Sequence, residues 1–304
     1  MSSKSKNNNF IINIKSIYIL KQIFDKIKQR KFLELIRYNK FIQNRLNKDI
    51  NDFIKEYSKI EIELIPKEKI YGEFINIYYD KTYYHIYFNN NKKEMKRNFI
   101  SEDDYVRKIK IILDYEVKSL FTLFQDCECI KKINFVKFYR NNITNMSYMF
   151  NNCSALEEIN FNEFKTENVI NMSNMFDGCS SLIELDLSNF NTNNVSNMSF
   201  MFYECFSLKK INLINFNTNK VTNMSFMFRG CSALKELDIS NFNINNVNFM
   251  RNMFYGCKSL EKLNLGNINA DNKLLQTDDI FFGCNRLKKQ EKGKAKKNYK
   301  KYKK

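Results

Sequence analysis

Residues 171–196 read NMSNMFDGCSSLIELDLSNFNTNNVS, residues 197–222 read NMSFMFYECFSLKKINLINFNTNKVT, and residues 223–248 read NMSFMFRGCSALKELDISNFNINNVN. One unit is copied every 26 residues, so repetition rather than scattered motifs organises the chain. The same register runs through Cys127, Cys153, Cys179, Cys205, Cys231 and Cys257, and Cys284 follows after 27. Each cysteine sits in F-x-x-C-x-x-[LI], with Phe124 to Phe281 before it and Ile130 to Leu287 after it.

Within one unit the apolar spacing changes character. Val169, Met172, Met175, Phe176 and Cys179 lie three or four apart, which predicts one face of a short helix or helical turn, capped by Asn171 or Ser173. Leu182, Leu185 and Leu187 follow, the last two alternating inward about a short strand, and Phe190 turns the chain into the polar loop NTNN. A lone coil of this kind leaves its apolar stripe wet on both sides. It cannot offset about 1–2 kcal/mol of backbone entropy per ordered residue. Neighbouring coils must supply the cover, so the unit is repeated because the structure is built by stacking.

L-x-x-L-x-L is the strand signature of leucine-rich repeats. The stretch NMSNMFDGCSSLIELDLSNFNTNNVSNMS closely resembles the BspA-like (bacterial surface antigen A type) leucine-rich repeats, and the resemblance covers about residues 117 to 287. It implies a right-handed leucine-rich repeat solenoid and, for the family at large, surface, adhesion or protein-interaction roles. The expected fold class is α+β: a parallel β-sheet on one face of the solenoid, short helices or helical turns on the other, preceded by a helical segment and a small β region. The expected domains are a disordered 1–10, a helical 11–58, a β-rich 59–114 capping the solenoid, about seven coils over 115–287, and a disordered Lys-rich tail at 288–304.

The formal charge of +17 suggests an anionic partner until it is divided along the chain. Residues 1–140 carry +11, the repeats from 141 to 287 carry −3, and the tail from 288 carries +9. A nucleic-acid groove along the repeats is disfavoured, because phosphate binding draws on clustered Lys and Arg. The abundance of Asn, Lys, Ile, Tyr and Phe is what an AT-rich genome encodes, so Asn richness by itself carries little functional weight. The opening MSSKSKNNNF is polar, and FIINIKSIYIL is broken by Asn13, Lys15 and Ser16 before an apolar signal core develops. No run of 18 apolar residues occurs. The reading is a cytoplasmic protein without stable membrane insertion.

Seven regularly spaced cysteines invite zinc or disulfides. Zinc needs ligands converging on one atom, and parallel side chains one coil apart do not face each other for a disulfide, so the column reads as buried free thiols. The methionine column, Met149, Met175, Met201, Met227 and Met253, reads as core packing. Sequons at Asn142, Asn145, Asn152, Asn171, Asn194, Asn197 and Asn223 read as caps and turn residues rather than glycan sites. The one histidine, His85, reads as a strand residue, and no Gly-rich phosphate loop, G-x-S-x-G or H-E-x-x-H is present. No enzyme activity and no cofactor are expected. The candidate partner-binding residues are the outward strand positions: Lys132, Glu158, Glu184, Lys210, Glu236 and Lys262 in one column, Asn134, Asn160, Asp186, Asn212, Asp238 and Asn264 in the next. Being polar and mixed in sign, they fit a protein partner, or a merely solvated face.

Residues 16–58 have helical spacing in Ile19, Leu20, Ile23, Phe24 and Ile27 and again in Phe53, Ile54 and Tyr57. The stretch YILKQIFDKIKQRKFLELIRYNKFIQNRL is weakly similar to an F-box, which implies a cullin ubiquitin-ligase adaptor contact through 16–46; a plain helical bundle is the other reading. Residues 60–114 alternate, as in IEIEL, EFINIYYD, YYHIYF and VRKIKIIL, and predict about four strands with turns at NNNKK and SEDD. The tail reads either as a solvated segment or as a nuclear address, a weak contact for anionic lipid or a loose hold on nucleic acid.

Overall fold

The computed structural model describes residues 39–46, 59–77, 81–114, 117–138, 140–162, 164–265 and 278–287. The chain divides into two compact units, Met1–Lys59 and Ile60–Lys304. In the first, helix α1 spans Lys40–Leu46, and the Ile42 amide donates to Asn39 Oδ1 at 3.1 Å, an N-cap. The remainder of the expected helical segment, the F-box stretch before residue 39 and the Lys-rich tail lie outside the described residues.

The second unit opens with a β region. Strands β1 (Ile60–Pro66), β3 (Tyr84–Phe88), β4 (Glu94–Met95) and β6 (Ile109–Leu113) join the first two repeat strands, β7 (Ile130–Lys137) and β8 (Glu158–Asn160), in one sheet. Its order is β4-β3-β6-β1-β7-β8. β1 runs antiparallel to both β6 and β7, while β7 and β8 are parallel in the register Lys132↔Glu158. Ile60, Ile62 and Leu64 alternate into the core as their spacing requires. EFINIYYD behaves differently from its alternation: among its described residues, 73–77, only Glu73 lies in a strand, β2 (Gly72–Glu73), paired with β5 (Phe99–Ile100). Beyond it the backbone is claimed by the first coil, since the Asn76 amide donates to the Leu123 carbonyl at 2.8 Å. The Asn76 side chain donates to Thr122 and Gln125 carbonyls, also at 2.8 Å.

From residue 117 onward the coils stack. Strands β9 (Glu184–Asp186) and β10 (Lys210–Asn212) are parallel, as are β11 (Glu236–Asp238) and β12 (Lys262–Asn264), each pair offset by one repeat. The opposite face is the more continuous one: parallel bridges run Ser119↔Asn145↔Asn171↔Asn197↔Asn223↔Phe249 through six successive coils. The spacing of Met172, Phe176 and Cys179 admits short helices there; among the described residues that face consists of turns alone. The cause is where the amides go. Met172, Asn174, Phe176 and Gly178 donate to Asn197, Ser199, Met201 and Tyr203 carbonyls of the next coil at 2.9–3.1 Å. The bonds that stay inside the coil are tight-turn closures, such as Cys179 to the Phe176 carbonyl at 3.1 Å and Ser180 to the Gly178 carbonyl at 2.7 Å. Aiming alternate amides along the stack needs left-handed residues, found at Asn174 (φ 55°) and Gly178 (φ 74°). Phe200 and Phe226 hold the same conformation at φ 57° and 62°. That costs about 1–2 kcal/mol each.

The core is a set of columns. Phe124, Phe150, Phe176, Phe202, Phe228, Phe254 and Phe281 stack in succession with centroids 5.2–5.8 Å apart. The five methionines of the column beside them are fully buried. Asn145, Asn171, Asn197 and Asn223 accept the amide two residues on, at 2.9–3.0 Å, which caps each turn. Asparagine does more than composition suggests. Asn189, Asn215 and Asn241 each donate to a carbonyl of the preceding coil, as do Asn168, Asn194 and Asn246. The NTNN loop hides a further device: the buried Thr192 hydroxyl accepts the Asn217 amide at 2.7 Å and donates to the Asn217 carbonyl at 2.9 Å. Thr166 and Thr218 repeat the pair.

Valine has the shape of threonine and can make neither bond. Thr192→Val should therefore destabilise the protein by about 1–3 kcal/mol, the cost of stranding a backbone donor and acceptor. Urea unfolding monitored by circular dichroism checks this, and a loss below about 0.5 kcal/mol would remove the threonine column from the account.

Candidate functional site

The strand positions singled out from the sequence fall one per coil. In the first column the charges pair between coils: Lys132 with Glu158 at 2.7 Å, Lys210 with Glu184 at 2.9 Å, Lys262 with Glu236 at 2.5 Å. The 26-residue register sets each lysine opposite a glutamate. Exposed pairs of this kind contribute about 0–1 kcal/mol, so they hold the face loosely; the first column is charge-balanced, and Asp186 and Asp238 of the second leave the face slightly acidic. The second column closes the strands. Asp186 and Asp238 accept the amides of Ser188 and Ser240 at 2.9 Å, and Asn160 and Asn212 accept those of Asn162 and Ile214 at 3.1 and 3.2 Å. The Ser240 contacts draw the Asp238 carboxyl below its ordinary range. Asn264 donates to Asp238 at 3.2 Å, and Asn134 is half-buried on β7.

The cysteines are free and buried. Cys153, Cys179, Cys205, Cys231, Cys257 and Cys284 each donate to the carbonyl of the column phenylalanine in the preceding coil, with Sγ–O distances of 2.9–3.1 Å. Burial pushes the Cys129 and Cys231 thiols up to about 12, far from the thiolate a nucleophile or metal ligand requires. His85 lies on β3 between two carboxylates, Nδ1 at 3.2 Å from Glu94 and Nε2 at 3.0 Å from Asp114. Among the described residues no three His, Cys, Asp or Glu side chains are grouped to hold a metal ion.

A second surface lies on the turn face. Tyr203, Arg229 and Tyr255 occupy one column, 26 residues apart, and Phe282 continues it. The Arg229 guanidinium carbon sits 4.5 Å from the Tyr255 ring centroid, 5.7 Å from Tyr203 and 5.6 Å from Phe226. Tyr255 stacks on Phe282 at 4.9 Å, and Phe226 on Phe200 at 4.5 Å. Phe206 leans over Gly230, where an added Cβ would meet its ring at 3.4 Å. The same column begins with Gln125, Asn151 and Asp177, so its drift from polar to aromatic was visible to anyone reading every register position rather than the strand positions alone. Burial, with the charge of Glu204 beside it, pushes the Asp177 carboxyl up to about 7.

The family described as Mycoplasma protein of unknown function, DUF285, matches residues 118–213 and 209–294, and the chain belongs to that family. The match falls on the stacked coils, the stretch that resembles BspA-like repeats. A leucine-rich repeat protein from Bacteroides ovatus, seen in a crystal structure, is 19% identical over 64% of this chain, with a TM-score of 0.34. The similarity takes in 54% of that protein, so the chain spans about half its length. No curated protein matches.

Asp177 sets a pH dependence whose sign follows from its raised value. Between its ordinary value of 3.8 and about 7 the folded state binds the extra proton, so stability falls as pH rises through that window. Asp177→Asn removes the effect: the variant should match the parent near the bottom of the window and exceed it by about 1 kcal/mol above it, once partial exposure is allowed for. Urea titrations across the window check this; parallel curves for the two proteins would contradict it.

Proposed function

We propose that this member of the DUF285 family is a non-enzymatic protein-interaction scaffold, a leucine-rich repeat solenoid of the BspA-like type that meets a protein partner through its strand face. The observation carrying the proposal is the row of exposed, weakly paired charges on that face, Glu158, Glu184 and Glu236 against Lys132, Lys210 and Lys262. Pairs worth so little exchange readily for pairs with a partner, which gives orientation and specificity rather than bulk affinity. Equal numbers of each sign favour a protein surface over a polyanion. The coil core, filled by stacked phenylalanines and methionines, supplies a rigid backing for that face. The proposal keeps the protein in the cytoplasm; among the described residues no helix is long and apolar enough to cross a membrane.

The test is a partner retrieved with the full chain and measured against Glu184→Lys/Glu236→Lys. Reversal sets like charges opposite Lys210 and Lys262 while sparing the turn-closing Asp186 and Asp238. Affinity should fall about tenfold or more with an unchanged melting temperature. Undiminished binding would exclude the strand face.

A further inference from the structure

The aromatic–arginine column on the turn face is unlike the strand face in one respect: its arginine is packed among rings rather than paired, although the Glu204 side chain lies against the neighbouring Gly230. Arg229 is half-buried, is held by three rings, and makes no ion pair with any described residue. A guanidinium stacked on aromatic rings keeps its N–H fork in the plane of the stack, available at the surface for a bidentate carboxylate. Around it lie Phe206, 46% exposed, and Phe282, 59% exposed, with Tyr203 and Tyr255 half-buried. Half-buried tyrosine and arginine beside exposed phenylalanine make the composition of an interface hot spot.

The geometry also selects the kind of partner. Phe200 and Phe226 lie 15° from parallel and Tyr255 and Phe282 17°, so the rings stack on one another along the array and turn their edges to solvent. Nucleobases and sugars bind ring faces, and in each of these two stacked pairs the facing ring faces are already taken by the neighbouring ring. Ring edges carry partial positive charge and favour apolar contact or a nearby anion. The acids present, Asp177 and Glu204, both act on Tyr203, and the Glu204 side chain also packs against Gly230, so an incoming carboxylate is repelled on that side of Arg229 and drawn to its Tyr255 side. Lys258, three residues beyond Tyr255 and exposed, adds positive charge on the far side.

We infer that the turn face around Arg229 is a docking site for a protein segment that presents an Asp or Glu carboxylate next to a large apolar side chain, the carboxylate engaging the Arg229 fork and the apolar group packing towards Phe282 and Phe206. The inference rests on the scaffold reading but places a second, chemically distinct contact on the opposite side of the coils.

The experiment is selection of random displayed peptides on the full chain, followed by anisotropy with fluorescein-labelled copies of those enriched. Binders should combine Asp or Glu with an aromatic or large aliphatic residue. Their affinity should fall about tenfold for Arg229→Gln and for Tyr255→Leu, fall less for Arg229→Lys, and hold within about twofold for Glu184→Lys/Glu236→Lys. Thermal melts within a few degrees of the parent show that each variant folds. Peptides without an acidic residue, or peptides that bind Arg229→Gln undiminished, overturn the inference. If those peptides are lost instead with Glu184→Lys/Glu236→Lys, the scaffold reading stands and the strand face is its site. If no peptide is enriched, both fail. Arg229-dependent binding of oligothymidylate in place of peptides would also overturn it, since it would assign the column to single-stranded nucleic acid.

Discussion

The structure depends on backbone amides that are satisfied one coil away. A 26-residue coil too short to close a helix or a sheet on its own has polar backbone on both flat sides, and burying it unpaired would be prohibitive. On the turn face alternate amides, Met172, Asn174, Phe176 and Gly178, donate to the next coil and meet the requirement. Everything else follows from that choice. The left-handed residues exist to aim those amides, and the ladder keeps equivalent positions in register from coil to coil, including across the one 27-residue step, where Phe254 and Gly256 still donate to Ile280 and Phe282.

Side chains extend the same principle into the loops and the core. Threonine hydroxyls at 166, 192 and 218 imitate a strand edge, giving and taking one bond each, and asparagine amides reach back to the previous coil. The cysteine thiols do likewise inside the core, each adding a second bond to a phenylalanine carbonyl of the preceding coil that already accepts an amide within its own coil. At the N-terminal end of the unit, β1 supplies an antiparallel neighbour to β7, so the first coil meets an ordinary sheet rather than water. Its last residue, Pro66, is the chain's one proline and sits where the pairing ends.

Much of this was legible in the residues. The repeat length, the buried Phe, Met, Cys and Leu columns and the strands at 60–66, 84–88 and 109–113 all follow from spacing and alternation. The turn face was only half legible, because positions three and four apart describe a helix and a succession of tight turns equally well. Their difference lies in amide direction, which side-chain spacing does not report. The asparagines misled for another reason: a residue favoured by base composition can still be placed, position by position, where an amide is needed. The strand-face columns lie where alternation puts them. The Tyr203–Arg229–Tyr255 column is not legible from the repeat pattern, because its residues differ from coil to coil and match no repeat consensus.

Function on such a frame is carried by what varies between coils. The strand face varies in charge and pairs its lysines with glutamates; the turn face changes from Asp177 to an aromatic–arginine column whose arginine is held by rings rather than by an ion pair. Both readings presuppose that the turn face is a bonded ladder and not a set of loosely folded loops. Native-state hydrogen exchange tests that most directly. The account predicts that the amides of Phe150, Phe176, Phe202 and Phe228 are protected as strongly as those of the strand residues Leu185, Ile211 and Leu237. It predicts further that they exchange together, through global unfolding. Rapid exchange at the phenylalanine amides with protected strands would contradict it.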